Sequence, residues 1–106
     1  MKVLFDQGIP APLRRALVGH SVETAYERSW SGLQNGELIA AAETAKFEVL
    51  ITTDKSLKYQ QNLASRTLSI VVLLTTSWPR IQNSLPAVLA AVDNAAPGGY
   101  AEVAIE

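Results

Sequence analysis

The stretch from Glu48 to Lys58, EVLITTDKSLK, constrains this chain more than any other. Val49, Leu50 and Ile51 form an apolar run without polar alternation, so a strand here must be covered on both faces, as central strands between helical layers are. Thr52, Thr53 and Asp54 follow directly. A strand that ends in hydroxyls and a carboxylate delivers that carboxylate to the C-terminal edge of a parallel sheet, where open α/β sheets bind their ligands.

The same pattern opens the chain. Lys2 to Phe5, KVLF, is a second short apolar run, and it ends in Asp6. The prolines in the turn-rich stretch from Gln7 to Pro12 suit the start of a helix. Leu13, Ala16 and Leu17 then recur at helical spacing before Gly19, a good stop, so a β-loop-α unit is expected over residues 2–19. Ser21 to Ala25 is a weaker strand candidate, and Tyr26 to Gly32 lacks any period and reads as surface loop. Asn35 is the expected N-cap of an alanine-rich helix whose Leu38, Ala41, Ala42 and Ala45 share one face. A short helix is expected over Lys55 to Ala64. Ser69 to Leu74, SIVVLL, is a β-branched strand that closes on Thr75, Thr76 and Ser77. Ile81, Leu85, Val88, Leu89 and Val92 lie at helical spacing, and Pro86 requires the regular part to begin near Ser84. After the turn at Pro97, Gly98 and Gly99, Tyr100 to Ile105 alternates as an edge strand does.

This order of elements predicts one domain, a three-layer α/β/α sandwich on a mostly parallel five-stranded sheet with right-handed crossovers. Pairing the two strands that end in aspartate gives the order 2-1-3-4-5, with the last strand free to run antiparallel at the edge. With 106 residues the chain has room for one core. The absence of cysteine excludes disulfides, thiolate metal sites and a cysteine nucleophile. Apolar runs such as Ile70 to Leu74 are far short of the roughly 20 residues that span a bilayer. Asp6 interrupts any signal-peptide pattern, and a soluble, cytoplasmic protein is the expectation. A net charge of -1 carries no global footprint for nucleic acid, so any such binding needs a local patch.

Three carboxylates then stand out: Asp6 after the first strand, Glu37 in the first turn of the alanine-rich helix, and Asp54 after the third strand. In a parallel α/β fold, strand C-termini and the helix N-termini that follow them share one edge. Converging carboxylates repel one another unless a cation neutralises them. Oxygen ligands suit Mg²⁺ or Mn²⁺, and such an ion would activate water and stabilise charge on a phosphodiester. Each acid taken singly is also accounted for as a helix-terminal residue, stabilised by the dipole and the free N–H groups.

The segments VLFDQGIPAPLRRALVGHSVETA, NGELIAAAE and VLITTDKSLKYQQNLA, in that order, resemble the small PIN-like family, a compact branch of the PIN nuclease superfamily. The likeness covers residues 2 to about 75. It implies a parallel α/β/α sandwich and metal-dependent RNA cleavage, in some relatives as the toxin half of a toxin–antitoxin pair. Asp6, Glu37 and Asp54 fall on the family's acidic positions and would be its catalytic Mg²⁺ or Mn²⁺ ligands. Gln7 stands where the family often has a second acidic or amide ligand, and Leu57 where it commonly has a further aspartate. By the same resemblance the partners would be RNA, an antitoxin protein and a second copy of the chain.

Gln7, Thr53, Lys55, Lys58 and Gln61 are the candidate substrate contacts around these acids. Lys55, Lys58 and Arg66 would guide a phosphate backbone, and Tyr59 to Asn62 would stack on a single strand, unless they are simply solvated. Trp30 reads as a cover for the sheet edge, Trp78 as helix-entry packing, and His20 as structural, since it sits at the wrong edge for the acids. Two other readings compete. A catalytically silent PIN-like module would use the same edge to bind RNA or protein, consistent with the missing fourth acid. A receiver-like phosphoacceptor would use Asp54 and Thr75, but it needs an acidic pair after strand one and a lysine after strand five, and this chain has neither.

Overall fold

The computed structural model describes residues 1–55 and 66–105. Five strands, β1 (Lys2–Phe5), β2 (Ser21–Thr24), β3 (Val49–Thr52), β4 (Ser69–Leu73) and β5 (Tyr100–Val103), form one sheet in the order β2-β1-β3-β4-β5. Every pairing is parallel. The antiparallel option for the last strand is thus corrected: the helix over Leu85–Asp93 carries the chain back across the sheet, so β5 starts at the same end as β4.

The register explains the both-faces burial read from the β3 sequence. Phe5 lies beside Ile51 and Val49 beside Ser69, which places β3 between β1 and β4 with all of Val49–Thr52 buried. Alternate side chains feed two cores. Val3, Phe5, Val49, Ile51, Val71, Leu73 and Val103 point to one face and meet Leu13, Leu17, Ile81, Val88 and Val92. Leu4, Leu50, Ile70 and Val72 point to the other and meet Leu38, Ile39, Ala42 and Phe47. The molecule is therefore a three-layer α/β/α sandwich.

The helices among the described residues are α1 (Leu13–Ala16), α2 (Asn35–Thr44), α3 (Trp78–Asn83) and α4 (Leu85–Asp93). None of them is long and apolar enough to cross a membrane. Asn35 is the first helical residue of α2 and not its N-cap, because the Leu38 N–H already bonds the Gln34 carbonyl at 2.7 Å. The buried face of α2 comprises Leu38, Ile39 and Ala42, whereas Ala41 and Ala45 sit at its margin. The expected start near Ser84 matches α4, with Pro86 in its first turn. A separate short helix, α3, precedes it and buries Ile81; Trp78 is its first residue. The helix expected beyond Lys55 lies outside the described residues.

One crossover departs from expectation. Both β2→β3 and β4→β5 move across the sheet in the same direction, yet α2 packs on one face and α4 on the other. Two connections that travel the same way over opposite faces have opposite hands, so one of them is left-handed against the strong general preference. The apolar side chains of α4, Val88 and Val92, find their partners beside α1, and this packing selects the face.

Candidate functional site at the C-terminal strand edge

The parallel sheet brings the ends of β1 and β3 side by side, and with them Asp6 and Asp54. The ladder continues one residue past β1, where the Asp6 N–H bonds the Ile51 carbonyl at 2.9 Å. Thr52, only 1% exposed, joins the two acidic positions. Its hydroxyl donates to Asp6 Oδ2 at 2.9 Å and accepts from the Asp54 backbone N–H at 3.2 Å. A buried hydroxyl costs stability unless it is bonded, and here both its donor and an acceptor lone pair are used.

The other Asp6 oxygen is braced locally. Oδ1 accepts from the Gln7 N–H at 2.8 Å, while Gln7 Nε2 donates to the Ser31 carbonyl at 2.9 Å and ties the β1 exit loop to the loop before α2. Gly8 makes this turn possible with φ +88°, and the loop passes close to Thr53 and Thr76. Only glycine takes that backbone region without steric cost.

Glu37 stands exposed in the first turn of α2, whose N-terminus faces the same sheet edge by topology. Among the described residues, however, no three His, Cys, Asp or Glu side chains form a group able to hold a metal ion. The structure links the Asp6 carboxylate through the Thr52 hydroxyl to the Asp54 backbone N–H. The Asp6 carboxylate oxygens at this edge are hard donors, of the kind that suit a cation bound through one or two carboxylates and otherwise by water.

The other candidates divide. Gln7 is placed at the site; Thr53 is half-buried beside it. Lys55 is exposed, and its backbone carbonyl accepts from the Tyr100 hydroxyl at 3.3 Å, so the chain is already turning over the α2 face of the sheet. Lys58 and Gln61 lie outside the described residues, as do Leu57 and Tyr59. Arg66 precedes β4 and is therefore at the opposite edge, where it bonds Glu43 at 2.9 Å. Arg14 pairs with Glu27, and Arg28 with Glu23 at 2.9 Å. Trp30 packs edge-on against Phe47 at 6.1 Å, with the Arg28 guanidinium over its ring. His20 sits at the N-terminal edge between the Met1 amino group and Asp93.

Three residues matter here that the sequence did not single out. Thr52 was visible only as one of two consecutive threonines, and strand alternation could not tell which one turns toward Asp6. Ser31 and Tyr26, which lines a cleft beside Asp6, lie in a loop without periodicity. No protein-family model matches the chain, and no curated protein or solved structure matches it either.

Proposed function

We propose that the chain is a Mg²⁺- or Mn²⁺-dependent ribonuclease of PIN-like type, with Asp6 and Asp54 as its central acids. The supporting observation is the hydrogen-bonded path from the Asp6 carboxylate through the Thr52 hydroxyl to the Asp54 backbone N–H, at the edge of a parallel sheet where such folds bind ligands. Bound there, the cation would polarise a phosphodiester and make water a better nucleophile. The protein's own part is preorganisation. Thr52 fixes the rotation of the Asp6 carboxylate, and the Asp54 N–H fixes Thr52. Each Asp6 oxygen accepts one internal bond and keeps a lone pair for a cation or a water. Exposed Glu37 would contribute through water or through substrate at the rim.

A silent binding module is the second reading: among the described residues no three His, Cys, Asp or Glu form a group able to hold a metal ion. Cleavage of single-stranded RNA in Mn²⁺ separates the two. The ribonuclease reading requires that Asp6→Ala or Asp54→Asn lower the rate by about 10²-fold or more, the usual loss on removing a group that handles a proton. It also requires millimolar Mn²⁺ to raise the melting temperature of the wild type but not of Asp54→Asn. Equal cleavage by wild type and Asp6→Ala means a contaminant, and the silent module then stands.

A further inference from the structure

An open cleft of ≈ 300 Å³ adjoins Asp6 between the ends of β1 and β2. Phe5 and Ala25 are buried in its floor, Asp6 and Thr24 supply polar wall, and the Gln7–Ser31 bond closes one rim. Tyr26 stands at its mouth with 82% of its surface exposed. Of the large hydrophobic residues exposed among those described, Val18 lies at the other sheet edge and Leu74 is half covered at 42%, so Tyr26 is the aromatic ring presented to solvent beside the acids. A cavity of ≈ 280 Å³ at the opposite edge is walled by Ala90, Ala91, Ala95 and Ala101 and by Tyr100, a half-buried ring, and it lies away from the acids.

The geometry points to a nucleobase subsite: the cleft takes one base of a single RNA strand, stacked on the Tyr26 ring, with the adjoining phosphodiester beside Asp6. The identity of the strand rests on the ribonuclease reading; the subsite itself rests on the cleft. Its size sits at the lower end for ligand pockets, enough for one planar ring and its sugar but not for a helix or strand of a partner protein. An apolar floor with polar walls suits a ring whose faces are apolar and whose edges form hydrogen bonds. The Gln7 amide, held by its N–H on Ser31, retains its oxygen as an acceptor for such an edge. Stacking on an exposed aromatic ring tolerates any base, which is how single strands are held without strong sequence preference.

The test is fluorescence anisotropy with a fluorescein-labelled RNA hexamer of mixed sequence, in EDTA, so that binding is read without cleavage. Tyr26→Ala should weaken binding about 5- to 150-fold, the range that one stacked base contributes. Tyr26→Phe should stay within about twofold of wild type, and both variants should melt with the wild type because the side chain is exposed. A Tyr26→Ala affinity equal to wild type, or no binding by the wild type, overturns the subsite. Cleavage that is lost in Asp6→Ala, with KM unchanged in Tyr26→Ala, removes the subsite and leaves the ribonuclease reading. Binding that depends on Tyr26 without any cleavage in Mn²⁺ does the reverse.

Discussion

Replacing Thr52 by valine keeps the shape of the side chain and removes the one oxygen that serves both Asp6 and the Asp54 N–H. The valine chain therefore leaves two polar groups short of a partner, which costs about 1–3 kcal/mol for each group left buried. Urea unfolding of Thr52→Val should show a loss in that range, and RNA cleavage should fall with it because the Asp6 carboxylate is free to rotate. Gly8 makes a different kind of contribution. A methyl group there would meet Thr76 and Thr53 only at ordinary contact distances of 3.6 and 3.8 Å, so space is not the obstacle. The obstacle is φ +88°. Gly8→Ala should destabilise by about 1–2 kcal/mol through backbone strain alone, measured by the same unfolding assay.

At the level of elements, α2 is held by its apolar face and by one carboxylate. Ile39 is fully buried, so Ile39→Ala should cost about 2–5 kcal/mol in denaturant unfolding. Glu43, near the helix end, reaches the chain entering β4. Burial pushes its carboxyl up, but bonds from the Arg66 guanidinium at 2.9 Å, the Thr67 N–H at 2.7 Å and hydroxyl at 3.0 Å, and the Leu68 N–H at 3.3 Å outweigh that effect. The net result is a carboxyl below the ordinary 4.5. A carboxyl lowered by folding adds stability that is complete above its unfolded value and disappears as pH falls through the folded one. Wild type should accordingly lose stability on acidification below about pH 4.5, and Glu43→Gln should be less stable at pH 7 with a flatter acid limb. Thermal melts at several pH values check both. Glu27, bonded by Arg14 and by Thr24, is lowered too, but it is fully exposed and solvent screens the effect.

Across the whole molecule, β1, β3 and β4 are each hydrogen-bonded on two sides, and β2 and β5 on one. Amide exchange should be slowest in Leu4, Leu50 and Ile70 and their neighbours, and fastest among the strands in Ser21–Thr24, whose side chains are also only partly covered. Equal protection of β2 and β3 in hydrogen exchange would contradict the observed sheet order.

Much of this architecture was legible in the residues themselves. An uninterrupted VLI demands cover on both faces, KVLF and SIVVLL demand nearly as much, and helix spacing between them leaves a layered α/β fold as the economical solution. The place of Asp6 and Asp54 at one edge follows from that order, because every parallel strand ends on the same side. What local pattern cannot carry is the contact between segments far apart in the chain. Which threonine turns toward Asp6, that Tyr26 edges a cleft, and that α4 crosses on the face of α1 all depend on where distant side chains find room to pack. Burial periodicity sets the faces of an element, whereas its neighbours are chosen only when the whole core is assembled.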